Sequence, residues 1–485
     1  MDTKEKKKRP LDIESILMQI GEFGLYQKLV DMLFCAVTLI LSFQILIMYF
    51  ATLTPTWTCN NSSVACTSRY DGVQPAEQKE RCDLPPDSWR YTEERDFSVV
   101  TQFNICKEDW LLELLQSITF LGWGIGSIIL GWAGEALGRK TLLFPSCGIV
   151  LACGIMTVFL KNIYSILALR FVVGFFLPGA MIQTKLLIAE IVGNKTRPLA
   201  LMIPFFSYAL GYSLLSLKSY LLRNWKYLSL ICTVPYIFVF AFYSFVVESP
   251  KWLDERGRTD EAILSLQKIA RWNGTKLDDD IEVLYEIESS HPLSDTIETG
   301  TYNTPVLLGV SIQSVIWFTT AMSYFGLQFA AKELQGSLYI NFVLLSIVQI
   351  PALVVIILGS SKFGRKNTNL IPLVCSSAAC LALAFTPKQF VNVRVFLGIS
   401  GRFFATITNN GMYIWSAELI PTSVRSRGMG LLQFSARVGA TCAPWVIKGL
   451  TPMGGYIPFV VLGASSLVGA VMGTWLQESK LSYSE

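Results

Sequence analysis

Arg437 stands in the middle of GMGLLQFSARVGATCAPWV, residues 428–446, a stretch that is almost all apolar or small. Arginine keeps its charge in a protein, and its planar guanidinium grips carboxylate, sulfate or phosphate through two parallel hydrogen bonds. Two further cations, Lys185 and Arg402, lie within apolar runs, while Lys218 is close enough to a run end to snorkel outward. No Asp or Glu occupies the middle of any run. Asp31 and Glu113 are at run ends, and the single histidine, His291, is in a polar segment. A charge in a membrane interior costs about 2.5–3.5 kcal/mol on insertion scales, so residues kept there usually serve function. This inventory suits the recognition of an organic anion. A cationic guest calls for a buried carboxylate, and proton coupling calls for a titratable acid or histidine. No metal cluster, nucleophile triad, phosphate-binding Gly loop or Walker pattern is present. The chain is therefore expected to be no enzyme, with no metal, no cofactor, no ATP drive and no nucleic-acid partner.

The elements that position these residues are membrane spans. Of 485 residues, 52% are hydrophobic and 16% are charged, against about 25% charged in soluble domains. About 20 apolar residues cross a bilayer as a helix. Apolar runs near that length predict about twelve spans: 29–51, 111–132, 142–160, 164–189, 200–221, 228–247, 305–328, 337–359, 370–386, 393–415, 428–448 and 455–476. They are called spans 1 to 12 below. Arg437 lies ten residues beyond Arg427, about 15 Å into the membrane at about 1.5 Å per residue. Arg402 falls in the outer half of span 10. Lys185 falls in the inner third of span 4, where it either faces a cavity or pairs with Glu190 one turn away.

Lys and Arg in short loops mark the cytoplasmic side. They occur in KEKKKRP at the N-terminus, GRK at 138–140, KFGRK at 362–366, and at Arg425 and Arg427. All fall on one side if both termini are cytoplasmic. The organisation expected is a cytoplasmic segment 1–28, a six-span bundle 29–247, a polar cytoplasmic linker 248–304, a second bundle 305–476 and a tail 477–485. Residues 52–110 then form a large outer loop. It holds Cys59, Cys66, Cys82 and Cys106, an even set that predicts two disulfides in one of three pairings. Its NNSS at 60–63 offers glycosylation sequons at Asn60 and Asn61. The sequons at Asn194 and Asn273 fall on the cytoplasmic side and are expected to stay bare.

The two halves repeat each other. GWAGEALGRK (131–140) follows span 2 and LGSSKFGRKN (358–367) follows span 8. AEIVGNKTR (189–197) follows span 4 and AELIPTSVR (417–425) follows span 10. Glu190 and Arg197 are spaced like Glu418 and Arg425. Matched signals in two six-span halves are the mark of a duplicated transporter. With GEFGLYQK (21–28), RFVVG (170–174), ESPKWLDERGR (248–258) and AELIPTSVRSRG (417–428), the chain resembles the organic cation, anion and zwitterion transporters of the solute carrier class. These belong to the major facilitator superfamily.

That resemblance implies an all-α membrane fold of 12 transmembrane helices in two six-helix bundles, working by alternating access. It implies a multi-pass protein of the plasma membrane, with a small organic ion as substrate and the lipid bilayer as surroundings. Two departures fall in the first loop motif, where the usual Asp is Glu135 and the usual following Arg is Ala136. Glu135, Arg139, Glu190, Arg197, Arg365, Glu418 and Arg425 are the expected cytoplasmic gate. The alternative is a positive fringe that only sets topology. Cation members carry Asp at the position of Arg437, and anion and carnitine members carry Arg. Cation members also carry Glu two residues before the span 8 proline, where this chain has Gln349. Anion members often carry Lys two residues after it, where this chain has Leu353. By position, Trp317 and Tyr324 match aromatics of the family's site, and Asn409, Asn410 and Tyr413 match substrate contacts. The leading expectation is a transporter of small organic anions, by uniport or exchange. The alternatives are a carrier of carnitine- or betaine-like zwitterions or cations, and a non-transporting receptor or scaffold.

Overall fold

The computed structural model describes residues 13–59, 82–85, 88–106, 108, 110–275, 304–420 and 425–476. Asn60, Asn61, Cys66, residues 276–303 of the linker and the tail 477–485 lie outside the described residues.

Among the described residues, nine helices are long and apolar enough to cross a membrane. They are span 1 (Leu25–Ala51), span 2 (Trp110–Leu137), span 3 (Arg139–Phe159), span 4 (Ile163–Ile191), span 5 (Arg197–Leu221), span 7, span 8, span 9 (Arg365–Phe385) and span 12 (Ile457–Thr474). Three predicted spans depart from that pattern for physical reasons. Span 6 breaks into Trp225–Thr233 and Tyr236–Phe240, because Pro235 has no N–H to continue the helix. Span 10 (Val391–Leu419) and span 11 (Arg425–Pro444) are full-length helices but are too polar to pass as uniformly apolar segments. The residues that make them polar include Arg402, Asn409, Asn410 and Arg437, the ones set aside above for a cavity.

Spans 1–6 pack among themselves, as do spans 7–12. The two bundles meet where span 2 lies against span 11 and span 5 against span 8. Within a bundle, glycine lets helices touch backbone to backbone. A β-carbon on Gly126 of span 2 would collide with the carbonyl oxygen of Phe175 in span 4, and one on Gly174 would collide with that of Thr119.

The outer loop pairs strand Trp57–Cys59 antiparallel with Trp89–Tyr91. A Cys82–Cys106 disulfide ties the loop to the start of span 2, and Cys59 is also disulfide-bonded. Ahead of span 1 a helix at Ile13–Ile20 buries Ile13, Ile16, Leu17 and Ile20. Helices Pro250–Glu255 and Thr259–Asn273 follow span 6. Asn273 joins these parts. Its amide donates to the Ile20 carbonyl (2.9 Å) and the Gln27 side chain (3.0 Å), and accepts from the Tyr26 N–H (2.9 Å). This sequon's acceptor nitrogen is thus already engaged inside the fold.

Glycosidase treatment is expected to shift the mobility of wild type, Asn194→Gln and Asn273→Gln, and to leave an Asn60→Gln/Asn61→Gln double variant unmoved. A shift that survives in the double variant would overturn the loop assignment.

Candidate functional site

A cavity lies between the bundles, with about 560 Å³ of space free of protein atoms, part of it open to the surroundings. Spans 1, 4, 5, 7, 8, 10 and 11 all contribute to its wall, through residues from Thr38 to Arg437. Among the described residues lining it there is no Asp or Glu.

Span 11 supplies the charge. Its small residues allow close packing against span 2, where the position of a β-carbon on Gly124 is 3.2 Å from Arg437 Cβ. Ser435 Oγ fixes the helix to the Ser314 carbonyl of span 7 at 2.8 Å. The Arg437 side chain is buried, and its guanidinium carbon sits 4.0 Å from the centre of the Trp123 ring. Stacking uses the face of the guanidinium and leaves its N–H edge for hydrogen bonds. Buried Nε has no hydrogen-bond partner among the described residues. A buried charge with unspent donors is costly, and a guest anion in this cavity would satisfy it.

Lys185 also lines the cavity. It does not pair with Glu190, whose carboxylate is held by Arg139. Instead its ammonium sits over the rings of Phe205 (4.4 Å) and Tyr413 (5.2 Å). Asn409, Asn410, Tyr413, Tyr324 and Gln349 line the same wall. Span 8 is interrupted between Leu338–Ile347 and Gln349–Lys362, one turn before Pro351, as expected where proline removes a helical hydrogen bond. Gln349 stands at that break and accepts from the Tyr324 hydroxyl at 2.6 Å, with no partner for its own nitrogen among the described residues.

Two expected cavity residues stand behind the wall. Trp317 is fully buried, donates to Ser416 Oγ at 3.0 Å and braces Tyr413 edge-on at 4.7 Å. It supports a lining residue and is not one itself, because the indole finds its partner on span 10. Arg402 is fully buried, stacks on the Tyr324 ring at 3.4 Å and donates to the Tyr324 carbonyl. Its Nε and one terminal nitrogen have no partner among the described residues. Arg402 thus adds positive charge one side chain behind Tyr324. Sequence reasoning missed Trp123, Phe205 and Tyr208. Each is aromatic in a span of the first half, a signal too common in membrane helices to stand out. It also missed Arg170, buried in span 4 and bonded to Gln44 at 3.2 Å.

Where span 1 ends and span 8 begins, rings from both bundles meet. Tyr49 stacks on Phe342 (5.4 Å), Phe50 on Tyr339 (6.1 Å), and Phe120 meets Phe325 edge-on (4.7 Å). Ser117 donates to the Thr441 carbonyl (2.9 Å) and Ser216 to that of Tyr339 (3.0 Å), which adds polar ties between the bundles.

The predicted gate residues at the cytoplasmic side pair in an order that their spacing does not show. Arg139 meets Glu190 at 2.9 Å and also donates to the Gly134 carbonyl at 2.8 Å. Arg365 meets Glu418 at 3.1 Å, and Arg197 meets Glu14 at 3.1 Å. The first two pairs each stay within one bundle, and the third ties span 5 to the helix Ile13–Ile20. The Glu135 carbonyl accepts from Trp252 and Arg256, both at 2.7 Å. The side chain of Arg425 lies outside the described residues.

The pattern of the sugar (and other) transporter family matches residues 74–483. The chain belongs to that family. Among its relatives are organic cation/carnitine transporter 4 of Arabidopsis thaliana, 29% identical over 96% of this chain and 88% of that one, and organic anion transporter 3 of Oryctolagus cuniculus, 30% identical over 81% and 74%. Organic cation/carnitine transporter 2 of Homo sapiens is 28% identical over 81% and 72%. A solved structure of the proton:xylose symporter XylE bound to 6-bromo-6-deoxy-D-glucose is similar with a TM-score of 0.65. It covers 94% of this chain and 97% of that one at 14% identity, a likeness that shows the major facilitator fold. This multi-pass membrane protein is a secondary transporter of the organic cation, anion and zwitterion type, and not an enzyme.

Proposed function

We propose that this transporter carries small organic anions across the plasma membrane by alternating access, as a uniporter or anion exchanger. Arg437 is the anchor for the anionic group. The observation that carries this reading is the buried guanidinium with an unpartnered donor, in a cavity whose described lining holds no carboxylate. Asn409 and Asn410 add amide donors for carboxylate or sulfate oxygens, and the Tyr208 ring in the cavity wall offers apolar surface to an aromatic guest.

The second reading is a carnitine- or betaine-like zwitterion, with its carboxylate on Arg437 and its ammonium on an aromatic face. The names of two relatives favour it. The cavity argues against it, because the Phe205, Tyr413 and Trp123 faces already carry Lys185 and Arg437. A non-transporting receptor on the same fold is a third, weaker reading.

Uptake of a radiolabelled panel of organic anions, carnitine-like zwitterions and cations separates the three. Accumulation of anions alone is expected. Preferred accumulation of a zwitterion would replace the first reading with the second, and accumulation of none at a verified surface level would favour the third.

A further inference from the structure

A second pocket lies on the cytoplasmic side, away from the transport cavity. It is lined by the start of span 3 (Lys140, Thr141), the end of span 6 (Tyr243, Val246) and the helix Thr259–Asn273 (Leu264, Lys268), and also by Glu248, Arg258 and Glu261. It encloses about 810 Å³ of space free of protein atoms, part of it open to the surroundings. The charges in it do not cancel locally. Glu248 is committed to the N-terminus of span 3, accepting from the backbone N–H of Arg139 (2.9 Å) and Lys140 (3.0 Å). Glu261 is committed to Arg258 through a two-pronged pair at 2.7 and 2.6 Å. Lys140 and Lys268 remain without an ion pair among the described residues. The Lys140 ammonium rests on the Tyr243 ring at 4.3 Å, and that of Lys268 donates to the Ser244 carbonyl at 2.5 Å. Both lysines are half-buried, and burial pushes the Lys268 pKa down, as for a cation short of a counter-charge.

The surroundings of the pocket match a membrane interface. Phe238, Phe242, Tyr243, Leu264 and Trp272 are exposed beside it. Aromatic and apolar side chains at a headgroup boundary face acyl chains, while lysines just beyond them meet anionic lipid.

We propose that this pocket binds the phosphate-bearing headgroup of an anionic phospholipid of the inner leaflet, with Lys140 and Lys268 as its two cationic contacts and Tyr243 and Leu264 against its chains. The lipid fills a wedge between span 3, span 6 and the cytoplasmic helix, and so joins the cytoplasmic helices to the first bundle.

The test uses the full-length protein in phosphatidylcholine nanodiscs containing a small fraction of phosphatidylinositol bisphosphate, with retained lipid counted by native mass spectrometry. A lysine near an anionic surface is worth about fivefold in affinity. Lys140→Gln plus Lys268→Gln is expected to lower retention about 25-fold, and Lys140→Arg plus Lys268→Arg to keep it. Lys251→Gln removes an exposed charge outside the pocket and is expected to leave retention unchanged. Equal retention by the double Gln variant would overturn the proposal, as would an equal loss in Lys251→Gln, which would indicate only diffuse attraction. Soluble inositol trisphosphate separates a lipid from a free anion. Binding of the soluble headgroup as tight as that of the lipid would also overturn it.

Discussion

Replacing Arg437 by Ala is expected to reduce anion uptake more than any other single change in the cavity wall. Charged hydrogen bonds contribute about 2–3 kcal/mol each, or about 30- to 150-fold in apparent affinity. The structure supplies the reason for placing that loss here. The guanidinium carbon lies 4.0 Å from the centre of the Trp123 ring, and its buried Nε has no partner among the described residues. Its hydrogen-bonding capacity is therefore directed at whatever enters the cavity. Arg437→Lys keeps the charge but loses the planar fork and the stack, so uptake should fall part of the way. Arg437→Asp places a carboxylate where the cavity wants a cation, and should abolish anion uptake while favouring a cationic guest. The measurement is initial-rate uptake of one anion by wild type and the Lys, Ala and Asp variants at matched surface levels. Equal uptake by all four makes Arg437 a packing residue and removes the main support for the anion reading.

The contrast between legible and illegible features follows from what sequence spacing encodes. Apolar run length reports that a segment spans, and periodicity reports which residues share one helix face. Arg437 can therefore be placed in the membrane interior once span 11 is drawn, whereas Asn410 and Tyr413 are expected in the cavity only from the resemblance to the family. Spacing does not report which helix stands across a gap. Trp123 under Arg437, and Phe205 and Tyr413 under Lys185, come from packing of spans 2, 5 and 10 that no local pattern encodes. Trp317 fails for a related reason. It lies on a span that feeds the cavity, but its indole N–H is drawn to Ser416 on span 10, and a buried indole usually takes such a partner. The gate illustrates the point again. Spacing sets Glu190 and Arg197 in the first half like Glu418 and Arg425 in the second but names no partners: Glu190 meets Arg139 and Glu418 meets Arg365, an equivalent pair in each half.

That equivalence is not energetic equality, and Glu190→Gln should harm the protein more than Glu418→Gln. In the first bundle the side chains of Arg139 and Glu190 are 9% and 14% exposed, and the arginine is held at three points. In the second, Arg365 and Glu418 are 18% and 27% exposed. Removing one partner of a buried pair strands the other charge and costs about 3–5 kcal/mol. An exposed pair is worth about 0–1 kcal/mol. The first pair lies near the buried limit and the second between the two. Glu190→Gln is therefore expected to lower the melting temperature and surface level of the purified and expressed protein sharply. Glu418→Gln should still reach the surface, with its effect on maximal uptake rate. Because both pairs lie within a bundle, neither pair alone bridges the closing interface. Each instead ties two helix ends of its own bundle together, so that a change in rate without loss of protein is the sign of gating. Thermal unfolding and uptake, normalised to surface protein, give both quantities for both variants. Equal melting temperatures would show that burial does not separate the two pairs. Unchanged maximal uptake by Glu418→Gln would leave that residue a marker of topology alone.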